Sequence, residues 1–398
     1  MKDMTEENRK KIIELRHELH RHPELSCQET GTKERLMHFI KENTDLMVVD
    51  CGKWFYATNE GSVRFADAAA PIAFRADMDA LAIPETIHLP YASENPGVSH
   101  KCGHDGHMAA LCGLALSIGG KDHIAYSRPV YLIFQQGEEI GDGGRECAAL
   151  LSKKQVKEVY AFHNLNGFPL GSIVMRPGLT QPASEGLTIS FTGKRAHASE
   201  PEKGISPAAA VAELVKFAKM LEDIFTEETT EEAVEFLEED LDKPKPMRLC
   251  TVVHAEIGTK DFGIAAGEGE VSVTLRAERE SDLNAMEEAL LRKAGDLAGR
   301  DQLKVTRAVS DYFPETRNDD SCLDKVKKAA EKKDLPCIEM KEIWRASEDF
   351  GYYTKVCPGA IFYIGTGEEH APLHTPEYDF LDEILETAVE MFETLISL

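Results

Sequence analysis

A dense group of metal-binding side chain types lies at positions 100–107, where the sequence reads His-Lys-Cys-Gly-His-Asp-Gly-His. Thiolate and imidazole groups are good ligands for zinc and neighbouring transition metals, and the glycines allow the backbone to bend so that Cys102 and His104 converge. The alternative is a loop at a helix start, in which Asp105 caps the helix and the histidines are solvated. The density of ligand types in so short a segment favours metal binding.

The acidic pair Glu138 and Glu139 follows the apolar run VYLIFQQ at 130–136. Adjacent acidic residues are common on surface loops, but this pair comes directly after a strand-like segment. Open α/β sheets bind their ligands at the carboxyl ends of the strands. At that place one carboxylate can bind a metal ion while its neighbour accepts a proton.

Three further residues extend this pattern. His163 follows the strand-like run VKEVYAF, His374 lies in a loop after AIFYIG, and Asp77 ends the run IAFRAD. Each of them by itself is compatible with a purely structural role. Together they bring side chains of the ligand type from separate segments to one expected edge of one sheet, and this predicts a shared site.

The segments that would position these residues alternate between two patterns. Strand-like runs lie at 72–75, 130–135, 156–162 and 360–364, and a helical pattern at 108–118 separates the first two. This alternation predicts an α/β fold with a central, mostly parallel sheet flanked by helices.

The N-terminal segment predicts two helices. Apolar residues from Ile12 to Leu19 have helical spacing, which ends at the His-Pro-Glu of 22–24. The tetrapeptide from Ser26 to Glu29 has the pattern of a capping box that opens a second helix, which runs to about Asn43.

The middle of the chain changes character. Residues 187–193 and 271–278 alternate apolar and polar residues, as antiparallel strands with one solvated face do, and 207–221 is amphipathic at the helical period. We expect a smaller α+β domain at 184–312, inserted into a catalytic domain of residues 1–183 and 313–398. Within the insertion, the acidic stretch 226–242 and the Lys-Pro-Lys-Pro-Met that follows it predict a solvated helix and a proline-rich loop.

Composition excludes several classes of partner. The chain has 398 residues, enough for two domains, and its 45 basic against 70 acidic residues give a net charge of -25. Such a charge repels nucleic acid backbones and anionic membrane surfaces. The polar N-terminus and the absence of an apolar run of about 20 residues argue against export or membrane insertion. Nine scattered cysteines are typical of reduced thiols, so we expect a cytoplasmic protein.

An ordered set of motifs spanning about residues 12–394 resembles the M20 metallopeptidase family. It is similar to the amidohydrolase branch, which includes hippurate hydrolases, auxin-conjugate hydrolases and N-acyl amino acid deacylases. The motifs are HRHPELS (20–26), RADMDAL (75–81), HKCGHDGH (100–107), GEE (137–139), His163, GKRAHAS (193–199), SEDFG (347–351) and PLHTPEYDF (372–380).

This resemblance implies two divalent metal ions, zinc or manganese, with cobalt also permitted by the mixed ligands. The implied ligands are Cys102, His104, Glu139, His163 and His374. It also implies that Glu138 is the general base. The wider family has a metal-binding histidine two residues before the aspartate at the strand end, whereas this chain has Arg75, as the branch does. Asp77 is then expected to support the ligands and the catalysis rather than to bind metal itself.

The resemblance further implies a ferredoxin-like inserted domain that acts as a lid and forms a homodimer. His197 in GKRAHAS would reach the partner's active site, bind substrate there and stabilise an oxyanion. Arg276 would anchor an anionic group of the substrate. The chain departs from its relatives in two places: Gln136-Gly137 replaces Pro-Ala before the acidic pair, and the segment 261–265, Asp-Phe-Gly-Ile-Ala, lacks a substrate-binding asparagine.

The sequence therefore predicts a two-metal amidohydrolase that acts on an N-acyl or aryl-acyl amino acid or a related small amide. A dipeptidase or carboxypeptidase of the same family is a close alternative. A metal-binding homologue without catalysis and a metal-free hydrolase with Cys102 as nucleophile are alternatives of other classes.

Overall fold

The computed structural model describes residues 4–62, 69–121, 126–226 and 246–398. They form two compact units. The first comprises Met1–Thr180, Thr316–Trp344 and Glu348–Leu398, and the second comprises Gln181–Glu315 and Arg345–Ser347. The acidic stretch predicted at 226–242 lies, apart from its first residue, outside the described residues.

The strands and helices are numbered in chain order. The strands are β1 (Met47–Asp50), β2 (Phe55–Thr58), β3 (Ile72–Asp77), β4 (Val130–Gln135), β5 (Glu158–Leu165), β6 (Ile173–Met175), β7 (Gly178–Gln181), β8 (Ala183–Thr192), β9 (Ala196–His197), β10 (Arg248–Ile257), β11 (Ile264–Ala265), β12 (Glu268–Ala277), β13 (Lys304–Phe313), β14 (Thr316–Asn318), β15 (Cys337–Glu339) and β16 (Gly359–Gly365). The helices are α1 (Glu6–Arg21), α2 (Thr30–Asn43), α3 (His104–Gly119), α4 (Gly143–Lys153), α5 (Ala208–Thr226), α6 (Glu280–Asp301), α7 (Asp320–Lys332), α8 (Gly351–Thr354) and α9 (Leu385–Ile396). Within the described ranges, each helix is too short or too polar to cross a lipid bilayer.

The first unit is built on an eight-stranded sheet of order β1-β2-β4-β3-β5-β16-β6-β15. Its four central strands, β4, β3, β5 and β16, are parallel to their neighbours within this group. β3, β4 and β16 are buried along their whole length, as is β5 after its first residue, because helices cover both faces of the sheet. The predicted α/β fold with a mainly parallel central sheet is confirmed.

Successive side chains of the central strands pack into two different cores. Phe74 and Phe162 face the core that contains α1, α2, α3, α7 and α9, and the ring of Phe74 lies 4.8 Å from that of Phe392. Ala73 and Ala161 face the opposite core, which contains α4 and α8. Burial on both faces explains why these strands read as continuous apolar runs.

The second unit contains the order β8-α5-β10-β12-α6-β13 and an antiparallel sheet of order β10-β12-β8-β13. This order is that of a ferredoxin-like unit. In β8, Leu187, Ile189 and Phe191 pack into one core with α5 and α6, while the residues between them are less buried. The alternating pattern in the sequence therefore corresponds to a sheet with helices on one face.

Two local predictions were wrong. Ser26 to Glu29 do not form a capping box, because the Ser26 hydroxyl donates to Asp79 (2.6 Å) and α2 begins at Thr30 with no side-chain hydrogen bond from Glu29. The carboxylate of Glu24 caps the helix instead. It accepts hydrogen bonds from the backbone N–H groups of Gly31 (3.1 Å) and Thr32 (2.6 Å).

His163 lies inside β5 rather than after it. Its backbone remains in the ladder opposite Tyr363 of β16, so the strand continues to Leu165. The apolar run in the sequence ends at Phe162, and the pattern gave no sign that three more residues stay paired.

Replacing Glu24 with alanine should remove the cap of α2 and lower the free energy of unfolding by about 1 kcal/mol. Glu34→Ala is the matched control, because Glu34 is an exposed residue of the same helix. Chemical denaturation of the two variants measures the difference. Equal effects of both substitutions would show that Glu24 contributes nothing as a cap.

Candidate metal centre

The structure brings the five predicted ligands together at the carboxyl ends of the central strands. The Cys102 sulfur lies 3.4 Å from Nε2 of His163 and 3.3 Å from Nε2 of His374. Oε1 of Glu139 lies 3.6 Å from Nε2 of His374 and 3.7 Å from Nε2 of His104. The ligand atoms of Cys102, His104 and His163 also form one compact group.

These spacings fit divalent metal ions. Tetrahedral bonds of about 2.0–2.3 Å hold neighbouring ligand atoms about 3.3–3.8 Å apart, which is the range seen here. Among the described residues, Nε2 of His104 and Oε1 of Glu139 are buried and have no hydrogen-bond partner. Buried polar atoms without partners are costly, so a cation between them would stabilise both.

Hydrogen bonds orient two of the imidazoles towards the centre. Nδ1 of His104 pairs with the carbonyl oxygen of Asp79, and Nδ1 of His163 pairs with the carbonyl oxygen of Asn164, each at 2.8 Å. A proton on Nδ1 that donates to a carbonyl leaves the Nε2 lone pair free for a metal ion. The backbone N–H of His374 donates to the carbonyl of Lys101 (2.8 Å), which holds the 374 loop beside Cys102.

Gly103 allows the chain to pass between two ligands. Its φ is +93°, and a Cβ atom there would lie 2.5 Å from the side-chain oxygen of Asn164. Both the backbone conformation and the close approach require glycine. The turn places Cys102 before α3 and His104 at its first residue.

A buried network of hydrogen bonds holds the predicted ligands in place. Asp77 pairs with Nδ1 of His107 (2.6 Å) and accepts from Arg75 (2.7 Å). Nε2 of His107 pairs with Asn164 (2.7 Å), which also donates to the carbonyl of Cys102 (3.1 Å). Since both ring nitrogens of His107 are occupied, His107 is a supporting residue.

The alternative of a solvated loop at 100–107 is wrong. His104 and His107 are buried, and the N-cap position of α3 is Gly103, without a side-chain hydrogen bond. Asp105 is buried as well and interacts with Arg16 and His20.

The carboxylates of Glu138 and Glu139 lie close to other negatively charged side chains. Burial raises the pKa of Glu138 well above its usual value, and Glu348 and Glu139 raise it further. Burial also raises the pKa of Glu139 to about 7, although His104 counteracts part of this effect. A bound cation would relieve this repulsion.

Asp79 was missed as a functional residue, although it is the second aspartate of the RADMDAL motif. Its two carboxylate oxygens accept from the backbone N–H groups of Glu138 (3.1 Å) and Glu139 (3.0 Å). Asp79 therefore fixes the turn that carries both carboxylates. The sequence shows an acidic residue near a strand end but not the backbone groups that it binds.

Helix α1 contributes a second group that the residue patterns did not reveal. His20 pairs with Asp105 through Nδ1 and with Glu85 through Nε2, both at 2.8 Å. Arg16 also donates to Asp105 (3.1 Å). These contacts anchor the first turn of α3, and hence His104, to α1.

The two remaining predicted residues lie in the second unit. His197 is exposed in β9, is paired in register with Ile264, and its Nδ1 lies 2.8 Å from the hydroxyl of Ser199. Arg276 donates to the carbonyl of Arg345 (3.0 Å) and to the hydroxyl of Ser347 (2.8 Å). Their roles remain predictions.

Comparison with known proteins adds independent findings. A family model described as Peptidase family M20/M25/M40 matches residues 73–398. The chain is 26% identical over 386 residues to N-acetylcysteine deacetylase of Bacillus subtilis (strain 168), covering 97% of this chain and 96% of that protein. It is 29% identical over 395 residues to N-acetyldiaminopimelate deacetylase of Shouchella clausii (strain KSM-K16), covering 97% of each.

The fold also matches solved structures. A dinuclear metal-binding peptidase of the M20 family from Bacillus subtilis has a TM-score of 0.77 with this chain, at 24% identity and 98% coverage of both chains. At this identity the match supports the fold alone.

His20 predicts a pH-dependent contribution to stability. Burial by itself lowers its pKa, but the hydrogen bonds to Asp105 and Glu85 outweigh this effect and raise the pKa from 6.5 to about 9. The contribution is therefore complete below pH 6.5 and is lost as the pH rises through 9. His20→Gln should remove up to about 3 kcal/mol at pH 6, and the gap to the wild type should narrow towards pH 9.5. Thermal unfolding across this range measures it.

His38→Gln is the control, since His38 is exposed on α2. A gap between wild type and His20→Gln that stays constant with pH would contradict the assignment.

Proposed function

Because the chain belongs to Peptidase family M20/M25/M40, we propose that it is a two-metal amidohydrolase that removes the acyl group from an N-acyl amino acid. One observation carries this proposal. Four contacts of 3.3–3.7 Å link the predicted ligand atoms of His163, Cys102, His374, Glu139 and His104 in that order, and a carboxylate oxygen of Glu138 lies 3.9 Å from Nε2 of His104. The deacetylase activity named for the relatives supports the type of bond.

In this proposal Cys102 lies at the middle of the ligand set and contacts both His163 and His374, while Glu139 connects His374 with His104. Zinc or manganese, with cobalt as a further candidate, suits this mixture of sulfur, nitrogen and oxygen ligands. When bound, two such ions would supply the Lewis acidity that polarises an amide carbonyl and lowers the pKa of a water molecule towards 7.

Glu138 acts as the general base. Its Oε2 lies 3.9 Å from Nε2 of His104, close to the ligand atoms, and its backbone N–H is held by Asp79. The carboxylate accepts the proton of the attacking water and then delivers it to the departing amine, so the leaving group departs as a neutral amine. Glu138 and Glu139 thus have separate tasks although they are neighbours in the chain.

The second unit supplies the proposed substrate contacts. His197 would donate a hydrogen bond to the oxyanion in the active site of a partner subunit, and Arg276 would bind an anionic group of the substrate. The exposure of His197 and the hydrogen bonds that hold Arg276 beside Ser347 support these roles. A homodimer formed through this unit is part of the proposal.

The substrate class separates the leading proposal from its nearest alternative. A panel of N-acetyl, N-benzoyl and indole-acyl amino acids together with dipeptides, assayed with each metal, distinguishes an amidohydrolase from a dipeptidase or carboxypeptidase. Turnover of any N-acyl amino acid would exclude a homologue without catalysis.

Glu138→Gln should lower kcat by about 10²- to 10⁴-fold because the general base is removed. The bound metal content, measured by mass spectrometry, should remain that of the wild type because Glu139 still supplies its ligand. Glu146→Gln is the control, since Glu146 is an exposed carboxylate on α4. Retention of full activity by Glu138→Gln would assign proton transfer to another group.

Removal of metal should abolish hydrolysis, and addition of manganese or zinc should restore it. This result separates the two-metal reading from a cysteine hydrolase, in which Cys102 would be the nucleophile and a chelator would leave activity unchanged. Activity that survives complete chelation, confirmed by elemental analysis, would overturn the two-metal proposal.

A further inference from the structure

The turn at 137–142, which carries Glu138 and Glu139, is hydrogen-bonded to the segment 26–29, more than one hundred residues earlier in the chain. The backbone N–H of Gly137 donates to Oε1 of Glu29 (2.7 Å). The same oxygen accepts from the N–H of Cys27 (2.9 Å). In addition, the thiol of Cys27 donates to Asp142 (3.2 Å) at the end of the turn. One carboxylate oxygen therefore joins the segment 26–29 to the start of the turn.

The turn itself is not part of a helix or strand. It begins at Gly137, whose φ is +58°, and closes through hydrogen bonds from Gly141 N–H to Glu138 O (2.8 Å) and from Asp142 N–H to Gly137 O (3.1 Å). The three successive N–H groups of residues 137–139 all donate to carboxylates, the first to Glu29 and the other two to Asp79. Tertiary hydrogen bonds thus set the position of both acidic side chains.

Glu29 lies at a position where a side chain commonly caps a helix. It occupies the N-cap position of α2, yet its side chain makes no capping hydrogen bond. Glu24 caps that helix instead. The carboxylate of Glu29, which is 3% exposed, turns away from α2 to bind Gly137.

Burial of this carboxylate is unfavourable. Burial and the neighbouring Asp79 raise the pKa of Glu29 to about 7. Burying an acid that makes no capping hydrogen bond, only to accept from the N–H groups of Cys27 and Gly137, is unfavourable unless the position of Gly137 matters. Gly137 directly precedes the two carboxylates to which the proposed function assigns metal binding and proton transfer.

We propose that Glu29 is a positioning residue that sets the place of Glu138 and Glu139 through the backbone of Gly137. The inference rests on the proposed function, because it concerns the same metal centre. Without Glu29, the first of the three N–H anchors is lost and the turn can shift relative to the remaining ligands. Displacement of a catalytic group by about 1 Å costs on the order of 10²-fold in rate, and loss of an outer support costs about 10–100-fold in metal affinity.

Three substitutions at position 29 test this. Glu29→Gln keeps a carbonyl oxygen at the same reach, Glu29→Asp keeps the charge but withdraws the oxygen by one methylene group, and Glu29→Ala removes the acceptor. Metal affinity is measured by competition of zinc or manganese with a chromophoric chelator, and kcat and KM are measured at saturating metal. We expect Glu29→Asp and Glu29→Ala to weaken metal binding by about 10–100-fold and to lower kcat more than they change KM, with Glu29→Gln close to wild type.

Glu24→Ala is the matched control, because it removes the cap of the same helix without touching the turn. It should lower thermal stability and leave metal affinity and kcat unchanged. Hydrogen exchange of residues 136–142 gives an independent reading, and it should accelerate in Glu29→Asp and not in Glu24→Ala.

The outcomes separate this inference from the proposed function. If the wild type hydrolyses N-acyl amino acids and Glu29→Asp matches it in metal affinity, kcat and exchange, the positioning role is overturned while the function stands. If the wild type hydrolyses no amide but Glu29→Asp weakens metal binding and Glu29→Gln does not, the positioning role stands without the proposed function. If Glu29→Ala fails to fold, the comparison of Asp with Gln still decides.

Discussion

The buried guanidinium of Arg75 is the interaction on which the sheet edge depends. It donates to Asp77 (2.7 Å), Asp349 (2.7 Å) and Gln135 (3.0 Å), and it lies 3.1 Å from Glu348. These contacts connect the ends of β3 and β4 to the segment 348–349. Without this cation, the buried carboxylates of Glu348 and Asp349 would lose their cationic partner, which is strongly unfavourable. With it, Asp77 is held in place and can orient His107. The acidic side chains at this edge can then be buried.

The carboxylates near this edge differ in whether a side chain of the protein donates a hydrogen bond to them, and this difference distinguishes the candidate metal centre from its surroundings. Asp77, Asp349, Asp105 and Glu85 each have a cationic or imidazole partner supplied by the chain. Glu139 is different, because one of its oxygens has no hydrogen-bond partner among the described residues and faces imidazoles whose own Nε2 atoms point to the same place. The fold therefore pairs its structural acids within the chain, whereas an oxygen of Glu139 stays available for the cation of the proposed function.

The sequence predicted which residues meet, but not what holds them. Residues of the ligand type at the ends of apolar runs could be placed at one sheet edge because parallel strands end together, and the five predicted ligands do lie together. The supports were not visible because their partners are distant: Asp79 binds the backbone of residues 59 and 60 positions later, and His20 binds Asp105. The capping box failed for the same reason. The local pattern predicts that Ser26 and Glu29 cap α2. In the structure, Ser26 donates to Asp79 and Glu29 accepts from the N–H of Gly137.

The division of residues between the two units bears on how substrate specificity arises in such a chain. Every proposed metal ligand, the proposed base and all their supports lie in the first unit, while Arg276, His197 and the segment 261–265 lie in the second. Under the proposed function, changes in the second unit would alter which amide is accepted without changing a proposed metal ligand, because all of those ligands lie in the first unit. The segment 261–265, which reads Asp-Phe-Gly-Ile-Ala and exposes 91% of Phe262, lies in this second unit.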